Sequence, residues 1–352
     1  MLRDFKLATL RALKTSGVFD LVARSRWRQN RLLILCYHGT ALEDEHQWRP
    51  ALYLDPHVLE QRLQMLKQGG YSVLGLSEGL ERLQAGTLPP RSVAITFDDG
   101  TYDFYRQAYP LLKQYGFPVT VYQTTYYMEH PRPVFSLICS YMLWKRRGVV
   151  LHGGKELGLA VPLDLRTEAA RHQVVRGLID LSDHEQMTGG QKDELAARLA
   201  RVLEIDYEAL VRKRILQIMN PQELKEIARN GVDIQLHTHR HRTPEDEALF
   251  RREIRDNRER IEAVASTRPV HFCYPAGVYR SKFFDWLAQE QVVSATTCDT
   301  GLASATSQSL LIPRYIDNQF RTPIEFESWL SGVGALLVFH QAASQKYIPI
   351  ET

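Results

Sequence analysis

Val93-Ala94-Ile95-Thr96-Phe97-Asp98-Asp99-Gly100 is the stretch on which the reading of this chain turns. Five residues of strand-like, mostly apolar character end in two adjacent carboxylates and a glycine, and Tyr105 to Tyr115 then reads as a helix closed by Gly116. The order is strand, acidic loop, helix. In parallel α/β architectures catalytic groups collect on the loops after the C-terminal ends of strands, so the two acids are well placed for chemistry. Taken alone, Asp-Asp-Gly is equally a turn, since Asp and Gly are ordinary turn residues.

A second stretch separates those readings. Gly231-Val232-Asp233-Ile234-Gln235-Leu236 reads as another buried strand and runs straight into His237-Thr238-His239-Arg240-His241. His is the commonest neutral metal ligand, and two imidazoles with one carboxylate form a site that suits zinc and leaves positions open for water. Three histidines alternating in a loop after a strand are a poor pattern for plain surface or core residues. Metal binding is the expectation.

Thr96-Phe97-Asp98-Asp99-Gly100, followed by the His-Thr-x-x-His of His237 to His241, resembles the two defining motifs of the polysaccharide deacetylase family, the NodB-homology or carbohydrate esterase family 4 domain. The resemblance runs from Leu32 to Leu330. It implies an α/β fold, a distorted (β/α) barrel, with a divalent metal held by Asp99, His237 and His241 and with Asp98 as general base. For the proton donor it implies two alternatives. Many members use a histidine on a late strand, which Val338-Phe339-His340 offers. The subgroup resembling exopolysaccharide poly-N-acetylglucosamine deacetylases places it on the first strand in a Tyr-His pair, as in Tyr37-His38, and His38 is favoured here.

The family's third motif begins with an arginine that orients the base. The matching segment, Cys273-Tyr274-Pro275-Ala276-Gly277, lacks it. Arg314, in Ile312-Pro313-Arg314-Tyr315, either replaces it from another strand or is a structural ion pair. The backbone N–H of Ala276 is a candidate for the oxyanion, because that role needs only backbone geometry. His239 should point away from its neighbours if the strand continues, so it is not assigned as a ligand.

Around these motifs the chain alternates. Leu32 to Tyr37 is a strand; Asp55 caps a helix with Pro56 at its first position and Leu59, Leu63 and Leu66 on one face. Tyr71 to Leu74 is a strand, Ser77 starts a short helix, and Pro118 to Tyr122 is the strand after the acidic one. Alternation argues for parallel β/α units with helices outside. It stops near Pro131, and residues 135–215 read as a helical insertion, with Val149 to Leu151 its one strand-like piece. The resemblance implies a shorter passage between the two motifs, so the insertion is expected to cover the site, recognise substrate or make an oligomer contact. Asn220-Pro221-Gln222-Glu223 is a capping box that restarts the pattern. Thr243-Pro244 should begin a long helix whose alternating arginines and acids read as a solvated, self-paired face. Val270 to Tyr274 and Val292 to Thr297 are further strands.

A chain of 352 residues with 44% hydrophobic content can bury a full core, as one barrel domain over residues 31–340. A formal net charge of +3 is too mild to imply nucleic acid, and no patch of that type is present. Cys36, Cys139, Cys273 and Cys298 lack C-x-x-C spacing and read as reduced, buried thiols. With no long apolar run and no signal-peptide pattern, the expected location is cytoplasmic. Residues 1–30 interleave Leu2, Phe5, Leu10 and Leu13 with Arg3, Lys6, Arg11 and Lys14, a basic amphipathic pattern that suits an anionic membrane surface or packing on the chain's own domain. Oligomeric state is left open.

Function follows from the resemblance. It implies a metal-dependent hydrolase removing an N-acetyl or similar small acyl group from an amino sugar, in a glycan or a lipid-linked glycan precursor. An O-acetyl esterase, a catalytically silent carbohydrate-binding protein and a hydrolase of a non-sugar amide are the alternatives.

Overall fold

The computed structural model describes residues 2–159 and 162–337; His340, the alternative proton donor, lies outside them. Among the described residues seven parallel strands close into a ring: β1 (Arg31–Tyr37), β2 (Ser92–Phe97), β3 (Thr120–Gln123), β4 (Asp233–Leu236), β5 (His271–Cys273), β6 (Ser294–Thr300) and β7 (Ile312–Ile316). The ring closes because β1 pairs on both sides, with Tyr37 opposite Phe97 of β2 and Cys36 opposite Ile316 of β7. Two short strands lie outside it. Ser72–Leu74 runs parallel to β2, and Ala303–Ser304 runs antiparallel to the start of β1.

Strands buried on both faces carry near-continuous apolar runs, and side chains still alternate between the faces. In β1, Leu33, Leu35 and Tyr37 join Val93, Ile95 and Phe97 of β2 in the layer beneath the surrounding helices. Leu32, Ile34, Ala94, Tyr122, Cys273 and Ile312 form a separate interior cluster. Helix Leu76–Ala85 closes the lower end of that interior with Leu76 and Leu83, and its Ser77 hydroxyl hydrogen-bonds His271 at 2.8 Å. Gly79 is needed there, because an added Cβ would sit 2.9 Å from Leu32 Cδ2.

Helix punctuation follows the sequence in most places. Asp55 accepts from His57 N at the start of helix Pro56–Gln68, and Asn220 and Glu223 form the reciprocal capping box of Pro221–Arg229. Three expectations are corrected. The helix expected from Tyr105 opens as a π turn, Phe104–Ala108, before Tyr109–Tyr115, because Pro110 has no N–H to give the preceding turn and the ladder loosens ahead of it. The helix expected from Thr243-Pro244 starts at Glu247, where the Asp246 side chain caps Leu249 N. Its charged face is only partly self-paired: Arg251 and Arg252 pair with Glu247 and Asp256 one turn away at 3.2 and 3.5 Å, but Glu253 and Arg258 are buried, and Arg251 and Arg255 both reach Glu290 at 2.7 Å.

The insertion has its own core. Helices Phe135–Lys145, Glu168–His184, Gly189–Val202 and Tyr207–Arg212 enclose Ile138, Leu178, Leu195, Leu199 and Ile215, and Val150–Leu151 pairs with Leu163–Asp164. Helix Phe135–Lys145 is buried almost all round, as the centre of that unit. It meets the barrel through the segment after β1, where Tyr141 and Lys145 both bond Asp44 and the Tyr141 ring lies edge-on to Trp48 at 5.4 Å.

The N-terminal segment forms three helices rather than one, Leu2–Thr15, Val18–Arg24 and Arg26–Gln29, broken at Gly17 with φ 80°. They pack on the chain's own domain. Lys6 and Lys14 pair with Glu325 and Glu327 of helix Pro323–Ser331 at 2.9 and 2.6 Å, and buried Arg28 donates to the Leu330, Arg31 and Ser92 carbonyls. On the outer face Phe5 and Leu21 remain 69% and 72% exposed. Among the described residues no helix is long and apolar enough to cross a membrane.

Candidate metal centre and active site

Four strand ends converge at the upper rim. β1 ends in Tyr37 and presents His38, β2 presents Asp98 and Asp99, β4 presents His237, and β5 ends in Cys273. Asp98 shares the inward parity of Ala94 and Thr96, so it turns over the barrel interior. There it meets Arg314, which projects inward from within β7.

The two make a bidentate pair. Arg314 Nη1 donates to Asp98 Oδ1 at 2.7 Å and Nη2 to Oδ2 at 2.8 Å, with both side chains at most 2% exposed. The remaining guanidinium donors go to Thr297 O, Thr96 Oγ1 and Cys273 Sγ at 3.0, 3.1 and 3.1 Å. The thiols of Cys36 and Cys273 approach Asp98 Oδ2 at 3.6 and 3.4 Å. Burial pushes both thiols well above their ordinary pKa, so each is an S–H donor to the carboxylate. Burial alone would raise the Asp98 carboxyl; the Arg314 charge and its two hydrogen bonds override that and hold it well below the usual carboxylate range. Asp98 is an ionised base at neutral pH.

Asp99 faces the other way. His237 Nε2 and His241 Nε2 each lie 3.2 Å from Asp99 Oδ1, and the three donor atoms fall within 4.8 Å of one another. Asp99 Oδ1 is a buried oxygen without a well-formed hydrogen bond, close to both imidazole nitrogens. His237 Nδ1 lies 2.9 Å from the Cys273 carbonyl, which can only accept, so the N–H donates there and Nε2 is the ring atom left to face the centre. Two neutral-capable imidazoles and a carboxylate with an orphaned oxygen fit a divalent cation.

Reaching that geometry strains the backbone. Asp99, Thr238 and His241 hold φ of 70°, 62° and 55°, a left-handed conformation costing roughly 1–3 kcal/mol each outside glycine. Gly100 follows at φ 73°, and a Cβ there would strike Gln123 Oε1 at 2.0 Å. Helix Glu247–Ala265 holds the histidine loop in place. Glu253 accepts from Arg240 N and Arg242 Nε, both at 2.8 Å. Asn257 accepts from His237 N at 3.0 Å and donates to Gln123 O and Thr125 Oγ1. His239 turns away from the centre, bonded to Thr125 Oγ1 at 2.9 Å, and burial followed by the Arg240 charge lowers it to about 4.

His38 Nε2 stands 3.8 Å from Asp98 Oδ2; burial lowers its pKa while the Asp98 and Asp99 carboxylates oppose that. With Gly39, Asp99 and His241 it lines a cleft whose far wall includes Val134, Leu137 and Leu216 at the two edges of the insertion. Ala276, in the turn after β5 with φ 53°, is on the same rim but is not among the cleft's lining residues. His38, Asp98, Asp99, His237, His241 and Arg314, all read from the sequence, come together here. Asn257, Glu253 and the thiol contacts of Asp98 were missed; an uncharged Asn inside a highly charged helix was the one available signal, since Asn is unfavourable in helix interiors.

Fold and site together define a (β/α)-barrel protein with a two-histidine, one-carboxylate centre on its C-terminal rim. Residues 85–293 match the family model described as polysaccharide deacetylase, and the chain belongs to that family. It is 27% identical over 100 residues to the poly-beta-1,6-N-acetyl-D-glucosamine N-deacetylase of Escherichia coli K12, a match covering 28% of this chain and 15% of that protein. To the protein of the same name from Staphylococcus aureus MSSA476 it is 41% identical over 61 residues, covering 17% of this chain and 21% of that one. The matches thus span about a fifth or less of these relatives' length. In fold it is similar to the Streptococcus pyogenes deacetylase PplD in complex with acetate, with TM-score 0.55, 20% identity, and 83% of this chain and 95% of that one covered. It is also similar to IcaB from Ammonifex degensii, with TM-score 0.51, 15% identity, and 87% and 97% covered.

Proposed function

We propose that the protein is a metal-dependent deacetylase hydrolysing the N-acetyl, or a similar small N-acyl, group of an amino sugar in a glycan or lipid-linked glycan. The observation that carries the reading is the pairing of an ionised Asp98, locked by Arg314, with the Asp99, His237 and His241 donor set beside it. Asp99, His237 and His241 would hold the metal, and the ligand types favour zinc. A bound divalent metal supplies a water of lowered pKa and polarises the acyl carbonyl. Asp98 accepts the proton of the attacking water, and Arg314 keeps it ionised and aimed. His38, across from Asp98, donates the proton that the departing amine needs. The Ala276 N–H is the assigned backbone donor to the oxyanion.

The relatives, named as poly-beta-1,6-N-acetyl-D-glucosamine N-deacetylases, support an N-acetylglucosamine polymer as the substrate class. The exposed Phe5 and Leu21, on helices that also carry exposed Arg3, Arg11 and Arg24, support peripheral contact with the inner membrane face, with the protein otherwise cytoplasmic. The deciding experiment measures bound metal and acetate release from N-acetyl amino sugars for wild type and Asp98→Asn. Metal in both with acetate from wild type alone supports the assignment. Metal with no release from either on any N- or O-acetyl sugar favours a binding protein, and no metal after reconstitution sinks the site.

A further inference from the structure

The cleft at the metal centre has a composition that the removal of an acetyl group does not require. Two of its hydroxyls are bonded within the chain, Thr101 Oγ1 donating to Asp103 at 2.9 Å and Thr124 Oγ1 to the Asp99 carbonyl at 3.0 Å, and the rings of Tyr53 and Tyr127 also line it. Ser136 Oγ is buried without a hydrogen-bond partner. The rest of the wall is dominated by Leu52, Val134, Leu137, Leu216 and Ile218. Val134 N bonds Leu216 O at 2.9 Å, which ties the two edges of the insertion together as one apolar wall.

A sugar ring brings several hydroxyls, and the aliphatic part of this wall offers them no partner. An alkyl chain loses nothing there and gains by leaving water. Asp99, His241 and His38 line the same space, so whatever fills it is bonded to the scissile amide. Of the two sides of that amide, the sugar belongs at the open rim and the acyl side in the cleft. We propose that this cleft seats the aliphatic chain of an N-acyl group longer than acetyl, so that the substrate class extends to amino sugars carrying medium-length N-acyl chains. This rests on the amidase reading above and deepens it. Water attacks the acyl carbonyl, the C–N bond breaks, the proton passes to the amine, and a fatty carboxylate and a free amino sugar leave.

The test reads the cleft without relying on turnover. Zinc-loaded wild-type protein is titrated calorimetrically with acetate, butyrate, hexanoate and octanoate, and in a separate arm with octyl β-glycoside of N-acetylglucosamine. Hexanoate should bind at least tenfold tighter than acetate, and Leu137→Trp should collapse that ratio toward one. Because the ratio is taken within one protein, it survives a general loss of affinity in the variant. Wild-type kcat/KM on N-acetyl, N-butyryl and N-hexanoyl glucosamine should follow the same order. A length gradient in binding with no hydrolysis of any acyl sugar would support the seat and defeat the amidase reading. Affinity flat or falling with chain length, or a gain confined to the octyl glycoside, would overturn the proposal.

Discussion

Arg314 and Asp98 stand 216 positions apart in the chain and meet in two parallel hydrogen bonds of 2.7 and 2.8 Å inside the barrel. Arg314 therefore sets both the charge state of Asp98 and its direction. Replacing it by Ala leaves a buried carboxylate unpaired, which costs about 3–5 kcal/mol. Burial then raises the Asp98 pKa, so the acid limb of the activity profile should move to higher pH and kcat fall about a hundredfold or more, with bound metal unchanged. Chemical denaturation of Arg314→Ala, Asp98→Ala and the double variant completes the test. The double variant should be more stable than Arg314→Ala, and independent, additive losses would show that the pair does not couple.

Metal removal should be visible in stability. A cation held at a hundred times its Kd stabilises the folded state by about 2.7 kcal/mol. Adding zinc to metal-free wild type should raise the melting temperature and chelator should reverse it. His237→Ala and His241→Ala should lose that response, since each contributes one of three converging donor atoms. A full zinc response in both variants would move the metal elsewhere.

Asp103 gives a pH dependence of defined sign. Burial pushes its carboxyl up to about 8, against the hydrogen bonds from Thr40 N and Thr101 Oγ1. Unfolded, it titrates at about 3.9. Between those values the folded chain keeps a proton that the unfolded chain has lost, so stability falls as pH rises, by at most roughly 1.4 kcal/mol per pH unit. Below the window the group contributes nothing, and above it the full penalty stands. Asp103→Asn keeps the acceptor oxygen and removes the titration. Its stability relative to wild type should climb steadily from pH 4 to 8 in denaturant unfolding, and a flat difference would contradict the raised pKa.

The insertion should come apart without the metal centre. Leu178 is fully buried in the insertion core, and Leu178→Ala costs roughly 2–5 kcal/mol. The ligands sit on barrel loops, so bound zinc should persist while limited proteolysis finds new cuts between residues 150 and 200. Loss of metal together with that resistance would mean that barrel and insertion unfold as one.

At the N-terminus, Lys6 and Lys14 are committed to helix Pro323–Ser331, and among the described residues there Phe5 and Leu21 are the large apolar groups facing outward. Phe5→Ser with Leu21→Ser should lower co-sedimentation with anionic vesicles severalfold and leave the melting temperature within a degree or two. Unchanged binding would remove this face from any membrane contact.

Much of the site was legible because its signals are local. Asp98-Asp99-Gly100 and His237 to His241 are each a strand end followed by ligand-type residues, and the strands themselves are recognisable as apolar runs. The helix Glu247–Ala265 was misread because charge alternation looks the same whether arginines face water or reach across to Glu290. Glu253 left no local mark of its burial. It became a latch only when the histidine loop folded back over it.

The sequence alone determined the alternation of β and α, the order of the acidic and histidine motifs, and the caps at Asp55 and Asn220. These depend on periodicity and on residues a few positions apart. Tertiary structure alone decided that Arg314 is the partner of Asp98, that Cys36 and Cys273 give their thiols to the same carboxylate, that the N-terminal helices pack on Pro323–Ser331, and that the insertion lends an apolar wall to the metal centre. Each of these brings together residues far apart in sequence. Closing the strands into a ring sets every strand's inward side chains against those of distant strands, and only that closure says which will touch.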